Sequence, residues 1–330
     1  MQLTRLIAIL ISWFMTLTTH AQSGDGDPCF NAVVRERDQY GRVIFFFGDS
    51  ISRGYGLGNF PDLFKEAEAQ KHPLWALRSP ASTINFILSG KDIAFMKKCD
   101  VSKKQKLLAV YAGGSGLPRI QSAKEISQLI SDYYLKKIIL PGDSIVFEDA
   151  GDHHGDPDQF EAALQLLLDQ HQKLKGVRIL VATTPDLMTD QRRVELMPEN
   201  FHWEAPLKTS KSKQPRSLNQ VYRETAQRYG TKSTEVRLLE YHKAVSETSK
   251  SLASKQVSLM HEDQIHPNIF GQLIFSTLVL SQEQDVKVPQ EPPAVLLKLV
   301  RQNIERLSKT GVRDASTAET AVKASYKVRQ

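Results

Sequence analysis

A serine, an aspartate and a histidine in this chain have the types and settings that hydrolytic serine chemistry requires. Ser50 follows the apolar run Val43–Phe47 closely, and Asp263 precedes His266 by three positions. Such chemistry needs a nucleophilic hydroxyl, an imidazole base and a carboxylate that orients the base. On one turn, Asp263 could accept the Nδ1 proton of His266 while Nε2 faces Ser50. Turn chemistry alone also explains Gly-Asp-Ser, and a second histidine, His261, leaves a structural role for His266 open.

The run before Ser50 predicts how the serine is held. Val43–Phe47 is too short for an independent helix and rich in β-branched and aromatic residues, which is typical of a buried strand in a parallel sheet. An amphipathic stretch over residues 60–70 predicts a helix after it. A serine between such a strand and helix lies at the carboxyl edge of the sheet, where open α/β folds bind their ligands.

Apolar runs and helical patterns alternate along the rest of the chain. This alternation predicts an α/β fold with a mainly parallel sheet of five or six strands and helices on both faces. Further strands are predicted at residues 74–77, 107–111, 144–148, 177–182 and 236–240, and further helices at 83–98, 120–138, 159–174, 218–229 and 270–280.

The ends of the chain differ in character from the middle. Residues 1–21 predict a secretory signal peptide, because the apolar core is too short to span a bilayer; an uncleaved anchor is the alternative. A leader at 22–41 and a hydrolase-like domain at 42–282 follow. The region 283–330 is predicted to be a proline-containing linker and a basic tail with one helix at 294–307, beyond which no packed structure is expected.

The two cysteines and the charge pattern limit where the protein is located and which partners it binds. With a signal peptide, Cys29 and Cys99 predict either a disulfide or two buried thiols. No further segment is long and apolar enough to span a membrane, so a soluble, secreted or periplasmic protein is expected. The formal net charge is +6. The basic residues are interpreted as solvated surface, with contact to anionic envelope polymers as the alternative, and no nucleic-acid motif is present.

The blocks around these residues resemble those of a known family. FFFGDSISRGYG and DQIHPNIFGQLIF resemble the first and last blocks of the SGNH (GDSL) hydrolases, a superfamily of secreted esterases, lipases and carbohydrate deacetylases. The resemblance covers residues 42–280 and implies a three-layer α/β/α sandwich with a five-stranded parallel core. It also implies ester hydrolysis without a metal or other cofactor, by Ser50, His266 and Asp263.

The oxyanion site is where the resemblance is weakest. VYAGGSG resembles the family's glycine block and assigns a backbone N–H donor to Gly113, although residues 79–85 compete for that position. In SIVFEDAGDHHG, Asp152 stands where the family has an asparagine donor. An ionised carboxylate would repel an oxyanion, so Asp152 must be protonated or turned away, or His153 or His154 must replace it. Losing one donor costs about 2.7–4 kcal/mol in the transition state.

The loop around Asp152 has a second interpretation, because its oxygen and imidazole groups could hold a divalent cation. A polar rim or solvated turn is the commoner meaning of such a loop, so no metal is predicted. The members of this set are Asp149, Asp152, His153, His154, Asp156 and Asp158.

The leading hypothesis from sequence is an exported serine hydrolase that cleaves acyl or acetyl esters on a small molecule, a lipid or a glycan. Two alternatives stay open. Asp152 and the basic tail favour a polysaccharide-binding scaffold with weak or no catalysis. The same triad could also pass the acyl group to a sugar hydroxyl instead of water, which would make the protein an O-acyltransferase.

Overall fold

The computed structural model describes the parallel sheet, the helices around it and the C-terminal segment. The described residues are 43–47, 51, 94–95, 119–135, 137, 139–148, 157–171, 174–186, 204, 215–232, 235–262, 266–283 and 288–328.

Four strands of four or five residues pair in parallel. They are β1 (Val43–Phe47), β3 (Ser144–Glu148), β4 (Arg178–Ala182) and β5 (Val236–Leu239), and a two-residue strand, β2 (Ala94–Phe95), pairs with the outer edge of β1. The order across the sheet is β2-β1-β3-β4-β5. Phe45 of β1 lies opposite Ile145 of β3, which in turn lies opposite Ile179 of β4. All five carboxyl ends therefore point to one edge of the sheet.

The strands bury apolar side chains on both faces. Because side chains alternate along a strand, neighbouring residues of β3 belong to different cores: Val146 packs in one apolar cluster, and Ile145 and Phe147 pack in the other. Strand residues buried on both sides are typical of a parallel sheet covered by helices.

Helices of two groups supply these cores. The first group, α1 (Arg119–Leu135), α2 (Pro157–His171) and α3 (Leu218–Gly230), shares a cluster with Ile145 and Phe147. The second shares a cluster with Val146 and comprises α4 (Tyr241–Leu252), α5 (Ile269–Ser281), α6 (Ala294–Gln302), α7 (Ile304–Leu307) and α8 (Ala315–Tyr326).

Helix α5 is buried almost all round, since every residue from Ile269 to Leu280 is buried. The C-terminal segment helps to cover it. Ala318, Ala321 and Val322 of α8 are fully buried in the same cluster as α5. Small side chains allow two helices to approach closely, so α8 closes the outer side of the second core.

Beyond α5, the chain returns to the start of the sheet. Glu283 is fully buried and accepts hydrogen bonds from Ser144 Oγ of β3 at 2.6 Å and from Arg178 Nη1 of β4 at 3.0 Å. These contacts fix the carboxyl end of α5 to the amino edge of the sheet. The helix consequently runs antiparallel to the strands, and its amino end lies toward their carboxyl edge.

The predicted α/β class and parallel sheet are confirmed. Four predicted strands occur within two residues of their expected bounds, and the predicted helices at 120–138, 159–174, 218–229 and 270–280 occur as α1, α2, α3 and α5. The five-stranded core and the three-layer sandwich stay predictions, because β2 contributes only two residues.

Three expectations about local structure are wrong. The helix predicted over 83–98 cannot include Ala94–Phe95, whose backbone groups pair with the edge of β1. The tail helix predicted over 294–307 is interrupted at Asn303, whose side-chain amide donates to Leu299 O at 2.8 Å. Residues after 307 are packed rather than unstructured, since α8 buries Tyr326 in the core.

Among the described residues, no helix combines the length and apolar character needed to cross a bilayer. The predicted signal peptide, the leader, Cys29 and Cys99 lie outside those residues. The division into a domain at 42–282 and a separate tail stays a prediction.

Candidate active site

The described residues contain one member of the predicted triad and the immediate surroundings of the others. His266 is half-buried and directly precedes the Pro-Asn pair that leads into α5. Ile51, the residue after Ser50, is buried and helical, whereas β1 ends at Phe47. The remaining predicted site residues, which lie outside the described residues, are Ser50, Gly113, Asp152, His153 and Asp263.

A buried hydrogen bond joins the residue after Ser50 to the helix that begins after His266. Gln272 Nε2 of α5 donates to the backbone carbonyl of Ile51 at 2.9 Å, across 221 positions of sequence. A carbonyl oxygen only accepts, so the amide nitrogen of Gln272 must face it. Both residues are buried. The segment that follows β1 is therefore fixed to the helix that follows His266.

The loop that carries Asp263 and His266 is closed at its base. The N–H of His261 donates to the carbonyl of His266 at 2.7 Å. Next to it, Met260 and Pro267 form an antiparallel bridge. These contacts place the first and last described residues of the loop side by side, with Asp263 in the part of the sequence that they enclose.

Asn268 fixes the same loop to the start of α5. Its Oδ1 accepts from the N–H groups of Phe270 at 2.9 Å and Gly271 at 3.3 Å, as expected for an N-terminal cap. Its Nδ2 donates to the carbonyls of Ser258 at 2.8 Å and Met260 at 3.2 Å. One buried side chain thus satisfies both the helix end and the loop base. Sequence reasoning missed this role, although an asparagine directly before an apolar helix is a capping signal.

Gly271 permits the close approach of α5 to this loop. A Cβ atom at Gly271 would lie 2.6 Å from Pro267 Cβ and 2.9 Å from Leu259 O, which real side chains do not tolerate. The glycine in DQIHPNIFG therefore serves packing, since its backbone conformation is an ordinary helical one. Pro267, the residue after His266, is consequently held against the first turn of α5.

A second polar network lies at the carboxyl ends of β4 and β5. Asn219 of α3 accepts from the N–H of Thr184 at 2.9 Å and donates to its carbonyl at 2.8 Å. It also donates to Glu204 Oε1 at 3.1 Å. Arg223 joins Glu204 to Glu240 through hydrogen bonds of 2.8–3.1 Å. Sequence reasoning named none of these residues as functional, because their partners lie 15 or more positions away.

His242 belongs to this network and is held in one tautomer. Its Nδ1 accepts from the N–H of Asp186 at 3.0 Å, so the proton of the neutral ring is on Nε2, 3.5 Å from Glu204 Oε1. Burial lowers the pKa of His242, and the carboxylate of Glu204 opposes that shift. Because both ring nitrogens face protein groups, His242 anchors Glu204 and is not free to act as a general base.

No group of three or more His, Cys, Asp or Glu side chains among the described residues is arranged to hold a metal ion. Most of the acidic loop around Asp152, for which the sequence leaves a cation site open, lies outside those residues.

Comparison with known proteins adds no further constraint on the site. No family model matches the chain, and neither a curated protein nor a solved structure matches it.

Proposed function

We propose that this protein is an exported serine hydrolase that cleaves carboxylic esters through an acyl-Ser50 intermediate. His266 acts as the general base, and Asp263 orients it. The observation that carries the proposal is the hydrogen bond between Gln272 and Ile51. It joins Ile51, the residue after Ser50, to the helix that begins after His266, and a serine–histidine pair requires such proximity.

The local structure supports the role given to each segment. Ser50 precedes a helical residue and follows a buried parallel strand by three positions, which is the setting of a nucleophile at the carboxyl edge of a sheet. The loop from His261 to His266 is closed at its base, and the cap at Asn268 holds it against α5. A rigid support of this kind limits the reorganisation that proton transfer would otherwise require.

The reaction follows from these roles. His266 Nε2 removes the proton of Ser50 Oγ as the oxygen attacks the ester carbonyl, and the same proton passes to the departing alcohol. Water then attacks the acyl-Ser50 ester while His266 Nε2 takes a proton from the water, and that proton passes to Ser50 Oγ as the carboxylic acid leaves. Electrons and protons balance without any external oxidant or cofactor.

The oxyanion donors in this proposal are the N–H of Gly113 and a group near Asp152. His153 is the favoured replacement for the amide that the family has at Asp152, because a neutral or charged imidazole can donate where a carboxylate cannot. Removal of one such donor costs about 10²–10³ in turnover.

The finer fold belongs to the same proposal. We infer a three-layer α/β/α sandwich with a five-stranded parallel core, and the two apolar clusters on opposite faces of the strands support it. The substrate class is an acyl or acetyl ester outside the cytoplasm, borne by a small molecule, a lipid or a glycan. The signal-like segment at residues 1–21 supports that location.

The proposal is tested with p-nitrophenyl acetate and a fluorophosphonate probe. We expect the native protein to hydrolyse the ester and to form a covalent adduct at Ser50. Ser50→Ala should lose the adduct and at least about 10³-fold in turnover. Ser251→Ala is the matched control, since this exposed serine of α4 donates to Thr248 O of its own helix at 2.7 Å. Activity that survives in Ser50→Ala would refute the mechanism.

The same experiment separates the alternatives. A native protein that forms no adduct but binds glycans would be the scaffold that Asp152 favours. An adduct accompanied by faster release of p-nitrophenol when a sugar acceptor is added, and by an acylated sugar product, would identify an acyltransferase.

A further inference from the structure

Helix α5 carries polar side chains that are buried in the core, where water does not solvate them. Gln272, Ser276 and Thr277 are all fully buried. Among the described residues, the hydroxyls of Ser276 and Thr277 have no hydrogen-bond partner, whereas Gln272 donates to the carbonyl of Ile51. Gln272 is therefore the residue of this group whose side chain has a structural target.

That target is adjacent to the proposed nucleophile. Ile51 follows Ser50 directly in the chain, so an anchor on the backbone of Ile51 limits where the preceding residue can lie. No side chain of Ser50 needs to be contacted for this effect. The donor at Gln272 determines where the carbonyl of Ile51, the first described residue after β1, lies.

The same helix determines where His266 lies. Asn268 caps α5 and holds the loop base, and Gln272 is four residues further along, about 6 Å of helix rise. Both anchors are on one rigid element that is buried on all sides. The separation of the two catalytic segments is thus set by a single turn of helix.

The oxygen of the Gln272 side-chain amide supports a specific role for the amide nitrogen. Its Oε1 is buried and, among the described residues, has no hydrogen-bond partner. A buried polar atom in this state destabilises the fold, because it has given up its hydrogen bonds to water. An apolar side chain would avoid that cost, so the amide is disadvantageous unless its N–H group has a task.

We propose that Gln272 is a positioning residue that sets the location of Ser50 relative to His266. The proposal rests on the proposed function, because it assigns Gln272 a part in the same reaction. Gln272 does not touch the reacting atoms. It acts through the peptide of Ile51.

The test compares Gln272→Met and Gln272→Glu with the control Ser276→Ala. Methionine keeps the volume and removes the donor, and a shift of about 1 Å in a catalytic group can cost 10²-fold. We expect Gln272→Met to lose about 10- to 100-fold in kcat and in the rate of fluorophosphonate labelling, with KM changed less than about twofold. Ser276→Ala, one turn further along the same buried helix, should retain native kinetics.

Gln272→Glu supplies a readout that a merely structural residue would not give. The introduced carboxyl donates to Ile51 only while it is protonated. Its activity relative to the native protein should therefore be highest at low pH and fall as the pH rises. If Gln272→Met does not fold, this ratio, measured at a pH where Gln272→Glu remains folded, decides the question.

The outcomes are distinct for the two proposals. Native kcat in folded Gln272→Met, an equal loss in Ser276→Ala, or a pH-independent ratio for Gln272→Glu would overturn the role of Gln272 while leaving Ser50 as the nucleophile. A native protein that is not labelled at Ser50 would overturn both.

Discussion

The buried ring of His171 makes the stability of the folded protein depend on pH, and the size of this effect can be calculated. The ring lies at the end of α2, is 2% exposed and stacks on Phe147 with the centroids 5.3 Å apart. Among the described residues, neither ring nitrogen has a hydrogen-bond partner. Burial therefore lowers the pKa of His171 from 6.5 to about 3. An exposed imidazole is mostly protonated below pH 6.5, whereas the buried ring of His171 in the folded protein is mostly protonated only below about pH 3.

The sign and size of the effect follow from this difference. Below the unfolded pKa, the unfolded chain binds one more proton than the folded chain, so the free energy of unfolding falls as the pH falls, by up to 1.36 kcal/mol per pH unit. Between about pH 7.5 and pH 5, His171 alone should remove about 2 kcal/mol of stability. The loss vanishes well above pH 6.5, where the imidazole is neutral in both states.

Urea unfolding of the native protein and of His171→Leu at these two pH values measures the contribution. The other titrating groups are common to both proteins and cancel in the difference. We expect the native protein to lose about 2 kcal/mol more than the variant between the two conditions, and the variant to equal or exceed the native stability at the higher pH. Equal losses in the two proteins would refute the assignment of a buried neutral imidazole.

Three further predictions concern residues that hold the site and the C-terminal segment. Asn268→Ala removes the α5 cap and two donors to the loop base and should lower the free energy of unfolding by about 2–4 kcal/mol, whereas Asn268→Asp keeps the cap acceptor and should lose less in the same urea titration. Arg178→Met removes the guanidinium that pairs with the buried carboxylate of Glu283 and should cost about 3–5 kcal/mol. The double variant with Glu283→Gln should recover part of that loss, and no recovery would contradict the pairing. Gly311→Ala should lower the melting temperature more than Gly142→Ala. Both glycines have left-handed backbones, but a Cβ at Gly311 would also overlap the carbonyl of Gln256, whereas nothing lies near a Cβ at Gly142. Equal shifts in melting temperature would show that backbone strain alone accounts for the loss.

The sheet could be predicted because its signal is local. Val43–Phe47 and Ser144–Glu148 are apolar runs bounded by turn residues, and each became a strand within the expected bounds. The edge at Ala94–Phe95 could not be predicted in this way, since its two residues are extended only through pairing with β1. The C-terminal helix α8 was missed because three of its five buried residues, Ala318, Ala321 and Ser325, are small and only weakly hydrophobic or polar, as in an unstructured tail.

The candidate site also contains residues that could be predicted from the sequence and residues that could not. Ser50, Asp263 and His266 could be proposed from short motifs, and they stay a prediction. The residues that support them could not be recognised, because Gln272 acquires its meaning only from a carbonyl 221 positions earlier. Asn219 is similar, since its partner Thr184 precedes it by 35 positions. Sequence spacing identifies groups that react, whereas the groups that hold them depend on contacts between distant segments.

The burial of α5 also has a consequence for the order of folding events. β1 is made early in synthesis, yet its neighbour Ile51 acquires the Gln272 hydrogen bond only after most of the chain exists, and α8, which completes the cover of α5, is later still. Contacts between such distant segments slow folding, because a long loop must close before they form. Docking of α5 and α8 should thus be the last slow step of refolding, and any activity that depends on Ser50 should recover with that step rather than with formation of the sheet.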